Sequence, residues 1–385
     1  MKTDDSTPSV RENLALFALP PTETGIEKRY FVDNRPTSQL TDESSPYEFV
    51  FGGRSVDMLD LKNSSLHAQY KLTDSEGKNV GDDDQVCPIN LLLHSLWEKV
   101  DIRYQGQLMT HTLGDYAYTS YMKTLKCLGS ENNHLDSVGF EMDNAYMDSS
   151  GKIEYVKDGK KSIRANIGAV KRGEWFKGGK TFQMQGPLLA DVCDVKRYLL
   201  NNTEVSITLY RNRPTFYIGA SVATKEYKIE IVDIFFRACY VKPSPGVLMG
   251  INQALESGHR ASYPYTKTQV RCFTIPKGFL DTYLDNVFQG IVPDEIVLGM
   301  VSDAARSGSY KLNPYNFKNY DVQEIGVSVD GAYVPSQPVK VNFDKTDGQN
   351  FITAYSDFMK CVASNPDNVS IDLDKYRDGY TLFSF

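Results

Sequence analysis

Hydrolytic, redox or metal chemistry in this chain would have to be built from five histidines, six cysteines and scattered carboxylates. The histidines (His67, His94, His111, His134, His259) never fall at HxxxH or HExxH spacing, so a zinc site would need partners from distant segments. No GxSxG elbow is present to expose a nucleophilic serine. The stretch from Gly173 to Thr181 comes closest to a phosphate loop. It fails because the motif needs lysine at 179, where Gly179 stands, and because no buried strand precedes it to aim a helix N-terminus at phosphates. Asp82-Asp83-Asp84 lacks the alternate spacing of a calcium loop and reads as a solvated turn. His94 and Ser95 resemble an acid–base pair but sit among Leu91, Leu92, Leu93 and Leu96, which favours a packed histidine with one satisfied hydrogen bond. The expectation is a protein that is not an enzyme, with no catalytic, cofactor-binding or metal-binding residues.

The cysteines (Cys87, Cys127, Cys193, Cys239, Cys272, Cys361) are spread along the chain without a CxxC, as expected of small buried hydrophobes in a reducing compartment. The sequons at Asn63, Asn201 and Asn368 would matter only in a secreted protein, and the polar N-terminus lacks a signal peptide's basic start and apolar stretch. No run reaches the ~20 apolar residues of a membrane-spanning helix.

These groups are carried by 385 residues, 41% hydrophobic and 24% charged. That is enough chain for two cores, because single cores stop growing near ~250–300 residues. A net charge of −7 argues against a surface that grips nucleic acid or an anionic membrane as a whole. Period-two alternation predicts half-buried strands at Leu66, Ala68, Tyr70, Leu72; at Val100, Ile102, Tyr104; at Val205, Ile207, Leu209; at Ile325, Val327, Val329; and at Val339, Val341, Phe343. Asp330-Gly331 supplies a hairpin turn. Many short strands with few helices indicate antiparallel sandwiches or barrels rather than an α/β enzyme.

Helical spacing is clear at Tyr118, Tyr121, Met122, Leu125 and again at Tyr355, Phe358, Met359, Val362. The two segments, Tyr116–Leu125 (YAYTSYMKTL) and Thr353–Val362 (TAYSDFMKCV), align without gaps, and each follows an alternating strand and a glycine-containing turn. The repeated order of strand, turn and aromatic helix indicates an internal duplication. The next matching strands are Ile207–Tyr210 and Tyr380–Phe383, so the first copy carries about 64 extra residues, placed at 129–184. Lys242-Pro243-Ser244-Pro245-Gly246 breaks strand and helix and marks a boundary. The resulting division is an extended N-terminal arm over 1–45, a first unit over 46–243 and a second over 244–385. Within the arm, Leu14, Leu16, Phe17 and Leu19 are apolar residues in a polar segment and are expected to make assembly contacts by strand addition.

The insertion has a character of its own. From Gly151 to Lys180 it holds nine basic residues, among them Lys160, Lys161, Lys171 and Arg172, against the three acids Glu154, Asp158 and Glu174. Trp175 and Phe176 among these charges suit stacking on a base or sugar, anchorage on a neighbouring subunit, or a buried aromatic pair under a solvated hairpin. Lys160, Lys161, Lys171, Arg172 and Trp175 are the expected contact residues of a loop projecting from the first unit.

The sequence resembles the major capsid proteins of Polinton/Maverick elements and related viruses, members of the double jelly-roll lineage that includes adenovirus-type hexons. The likeness is carried by Leu16-Phe17 with Pro20-Pro21-Thr22, by Pro88–Gly106, Gly186–Asn212 and Gly308–Pro335, and by Gly379–Phe385. It covers most of the chain and fades over Gly129–Lys180. The resemblance implies two antiparallel eight-stranded jelly rolls side by side with a few short helices. It also implies homotrimers forming pseudo-hexameric capsomers of an icosahedral shell, a minor capsid or penton protein as partner, and no sequence-specific binding of nucleic acid. The location it implies is the virion, assembled in the host cell without secretion through a signal peptide, and it implies a shortened or processed tail beyond Phe385. A minor capsid or vertex protein needs only one roll, which the duplication disfavours. A carbohydrate-active or carbohydrate-binding β-sandwich is the alternative from another class, weakened by only two tryptophans, Trp97 and Trp175.

Overall fold

A computed structural model describes residues 23–37, 45–81, 84–110, 114–128, 135–144, 146–157, 160–221, 225–288, 290–344, 346, 350–362 and 371–385. Its first half contains twelve strands: β1 (Ile26–Asn34), β2 (Tyr47–Gly52), β3 (Met58–Asp74), β4 (Val86–Pro88), β5 (Trp97–Tyr104), β6 (Gln107–Leu108), β7 (Lys152–Lys157), β8 (Lys160–Ala165), β9 (Thr181–Gly186), β10 (Glu204–Arg211), β11 (Ile218–Ala220) and β12 (Tyr227–Pro243). Eight of them form two four-stranded antiparallel sheets, ordered β1-β12-β3-β9 and β2-β10-β5-β6. Counting only these eight in chain order, one sheet reads first, eighth, third, sixth and the other second, seventh, fourth, fifth. That order is a jelly roll.

Alternation explains why these segments pair as they do. In β3 the side chains of Leu66, Ala68, Tyr70 and Leu72 are buried, while His67, Gln69 and Lys71 are part-exposed. In the facing sheet Val100, Ile102, Val205, Ile207 and Leu209 are fully buried. The sheets meet through rings, with Phe51 stacked on Phe236 at 5.0 Å. Strand β12 turns Ile229 and Ile231 inward and then Ile234, Phe236 and Ala238, a change of phase. The pairing explains it: Ile231 lies opposite Tyr70 and Asp233 opposite Gln69, so Val232 is an extra, bulged residue.

Two boundaries of the sequence division shift. Ile26–Asn34, assigned to the arm because it is polar, is edge strand β1, paired with β12. An edge strand with one wet face needs few apolar residues, which is why its composition resembles an arm. The end of the assigned insertion, Thr181–Met184, belongs to β9, and Met184 is buried.

Among the described residues the second half has β13 (Val297–Gly299) paired with β16 (Leu382–Ser384), and β14 (Glu324–Val329) paired with β15 (Ala332–Lys340). The β14–β15 turn is at Asp330-Gly331, with φ of 50° and 83°. The helices are α1 (Leu92–Ser95), α2 (Tyr116–Lys126), α3 (Ile167–Glu174), α4 (Pro214–Tyr217), α5 (Pro245–Glu256), α6 (Asp303–Arg306), α7 (Ile352–Val362) and α8 (Leu373–Arg377). The fold class is the expected one, all-β and antiparallel with short helices, and the sheets are consistent with a double jelly roll.

Candidate assembly interface

The two helices with similar sequences, α2 and α7, touch where the halves meet. Tyr116, Tyr121 and Leu125 of α2 are buried, as are Ala354, Phe358 and Val362 of α7. Tyr315 of the second half stacks on Tyr121 at 4.0 Å and 7°, meets Tyr118 edge-on at 5.8 Å, and donates its hydroxyl to the Ala117 carbonyl at 3.3 Å. Offset and edge contacts of this kind add about 0.5–1.5 kcal/mol each beyond area burial. Within the second half, Tyr376 gathers Phe351, Tyr355 and Phe358.

A buried ion pair fastens the insertion to both halves, and it corrects the expectation for Arg172. Arg172 is 1% exposed rather than a surface contact. Its Nε donates to the Pro88 carbonyl at 3.0 Å, its Nη1 to the Glu141 carbonyl at 2.9 Å and its Nη2 to Asp143 Oδ1 at 2.8 Å. Asp143 also accepts from Asn313 Nδ2 at 3.3 Å, and its backbone carbonyl accepts from the Tyr380 hydroxyl at 3.1 Å. Burial works against the guanidinium's charge, but the facing Asp143 carboxylate holds its pKa above the ordinary arginine value. One arginine thereby joins α3, β4 and the 139–150 segment, while Asp143 carries the connection on to the second half.

The local sequence explains the placement. Asn166 caps α3 by accepting from Ala169 N. At Gly168 a Cβ would lie 2.6 Å from the Met142 carbonyl oxygen, and at Gly173 it would lie 2.9 Å from that of Val86. Both glycines let the helix backbone touch its neighbours, so the glycines of this basic segment serve packing. Phe176 is fully buried, and half-buried Trp175 stacks on Phe182 of β9 at 4.6 Å and 8°. Phe176 thus serves the core, while Trp175 keeps part of its ring in solvent.

The remaining expected contact residues separate. Lys171 is exposed, with Nζ 3.2 Å from Glu141 Oε2. Lys160 and Lys161 open β8, opposite Lys157 and Val156 in the β7–β8 hairpin. Leu14, Leu16, Phe17 and Leu19 lie outside the described residues, as do Asp82 and Asp83. His94 is buried and shares a 2.9 Å hydrogen bond with the Tyr116 hydroxyl, and burial alone pushes its pKa down to about 3. It is a packed neutral imidazole. Burial pushes the Cys87 and Cys193 thiols up to about 12, which removes thiolate chemistry from both. Among the described residues no group of three His, Cys, Asp or Glu side chains converges on a metal position, and no helix is long and apolar enough to cross a membrane.

The sequence reading missed the apolar exposure of the second half. Helix α5 has no buried residue, and in the segment that follows it Leu280 is 97% and Tyr283 85% exposed, with Phe279, Ile291 and Val292 also in solvent. Large apolar side chains left in solvent along one stretch of chain mark a candidate contact surface.

No family model matches the chain. An uncharacterized protein of Caenorhabditis elegans is 27% identical over 384 residues, spanning 95% of this chain and 85% of that protein. Among solved structures the chain is similar to the Faustovirus major capsid protein (10% identity, TM-score 0.36, 66% of this chain and 61% of that one). It is also similar to a chain of the Sputnik virophage (13%, 0.39, 63% and 53%) and to the mavirus major capsid protein (11%, 0.32, 63% and 53%). The chain thus spans less than two thirds of each of these solved chains, and the jelly-roll assignment rests on the sheet order itself.

Proposed function

We propose that this chain is a structural shell protein of the double jelly-roll capsid kind, in the Polinton/Maverick-like lineage that its sequence resembles. The observation that carries the reading is the order of the two sheets in the first half, together with a second half that repeats the aromatic helix and is locked to the first through Tyr315 and Asp143. Two rigid wedges per chain give six per homotrimer, which suits a block with six neighbours. Helix α5 and the segment after it, with their exposed apolar residues, are the natural contact surface for other copies. The arm residues Leu14, Leu16, Phe17 and Leu19 add contacts between subunits, and Lys160, Lys161 and Lys171 form a basic outer contact from which Arg172 is excluded. A penton or minor capsid protein completes the shell in the virion, and no step requires enzymatic activity.

Negative-stain electron microscopy of the purified chain tests this. Pseudo-hexagonal blocks or closed particles support the reading. Uniform particles of monomer size at micromolar concentration refute it.

A further inference from the structure

Helix α5 (Pro245–Glu256) is amphipathic, yet its apolar side is left in solvent. Val247, Leu248, Ile251, Ala254 and Leu255 recur at the i, i+1, i+4, i+7, i+8 spacing that lines one face of a helix, with Gly250, Asn252, Gln253 and Glu256 between them. No residue of the helix is buried: Val247 is 41% and Leu255 37% exposed, and Leu248 and Ile251 are half-buried. A surface helix ordinarily turns such a stripe against a core.

Three observations bear on what covers it. The first is where the described chain begins. It enters at Glu23, and the carbonyl of Gly25 accepts from the backbone N–H of Ser244, the N-cap of α5, at 2.8 Å. A Cβ placed on Gly25 would lie 3.8 Å from Val247 Cγ2, so the N-terminal arm leaves the fold at the first residue of the stripe. The second is reach. Six residues of chain lead from Gly25 back to Leu19, a span of up to about 20 Å, whereas Val247 and Leu255 stand about 12 Å apart along the helix axis. Leu19 can therefore be set down at any point of the stripe. The third is chemistry. Leu14, Leu16, Phe17 and Leu19 fall within six consecutive positions of a polar segment, a compact apolar group on the piece of chain tethered beside an uncovered apolar face.

We propose that the apolar stripe of α5 is the docking site of this chain's own N-terminal arm, through residues 14–19. Tethering favours this occupant, because a segment held by a short linker competes at an effective concentration on the order of millimolar. Size disfavours a second copy on α5 alone: a stripe about 12 Å long and about 10 Å wide falls far below the ~800 Å² per partner of a standard stable interface. Docking takes place within one chain and does not depend on the shell reading. Arm side chains that the stripe leaves free, and the apolar residues beyond α5, remain for neighbouring copies.

The test places p-benzoylphenylalanine in the full chain at Leu16 and at Phe17 in turn, consecutive positions of which at least one faces the helix whether the arm is extended or coiled. After irradiation the expected product is a cross-link from the arm to residues 247–255, located by peptide mass spectrometry in a band that still runs at the 43.3 kDa of one chain on a denaturing gel. Ile251→Asp, in the middle of the stripe, should lower the yield at least tenfold. Met249→Asp should leave it unchanged, because Met249 lies on the opposite side of the same helix and is 69% exposed. No cross-link to the helix from either position overturns the proposal. So does a cross-link found in a band of twice the mass, which would make a second copy the occupant, or a yield that Ile251→Asp leaves unchanged or that Met249→Asp lowers equally.

Discussion

Between residues 26 and 243 two four-stranded sheets face each other and cover most of their large apolar side chains, while helix α5 and the residues from 257 to 292 leave Met249, Phe279, Leu280 and Tyr283 in solvent. The same chain thus contains one region that buries its own surface and one that presents it. The difference separates stability from assembly. Changes at the buried seam should act on folding, and changes on the exposed segment should act on association.

The largest effect belongs to the seam. Replacing Arg172 with methionine leaves the Asp143 carboxylate buried without its cation and should cost about 3–5 kcal/mol in denaturant unfolding. The double variant Arg172→Met, Asp143→Leu should recover most of that loss, because paired removal leaves no orphan charge. If Arg172→Met alone is neutral, the seam does not hold the halves together. On the exposed segment the opposite pattern is expected: Leu280→Ser with Tyr283→Ser should leave unfolding nearly unchanged and weaken self-association about tenfold or more by analytical ultracentrifugation.

A smaller effect comes from the core of the first roll and depends on pH. The His94 pKa is depressed from 6.5 to about 3 in the folded chain, so below pH 6.5 the unfolded state takes up a proton that the folded state refuses. Stability is full above that value and falls on acidification through the window down to about 3, by about 1.4 kcal/mol per pH unit at most. His94→Gln should flatten this slope in pH-dependent unfolding. The smallest effect is expected for Lys160→Glu, Lys161→Glu and Lys171→Glu together, within about 0–1 kcal/mol per site, read as a melting temperature that barely moves while salt-dependent contacts weaken.

What the sequence made legible follows from the same physics. Strands β3, β5 and β10 each turn alternate apolar residues to the core and polar ones away from it, even where Asp101 and Thr208 on the outer face are themselves buried, so their alternation is written plainly. Strand β1 was hidden because an edge strand tolerates Glu27, Lys28 and Arg29 on consecutive positions, and the bulge at Val232 broke the phase of β12. Arg172 was indistinguishable from its exposed neighbours because composition does not report a carboxylate 29 residues away. The local sign was Asn166 as a cap with Gly168 and Gly173 behind it, the pattern of a helix pressed against other backbone. The Tyr116–Leu125 and Thr353–Val362 likeness was readable, but the docking of Tyr315 on the first of these helices was not, since nothing in the spacing of Asn313 to Phe317 announces a partner.

The central claim, a self-assembling jelly-roll block, is tested most directly by light scattering of the purified chain at micromolar concentration. A trimer of about 130 kDa from the 43.3 kDa chain is predicted, with an interface of obligate size. A stable monomer of 43.3 kDa would contradict it.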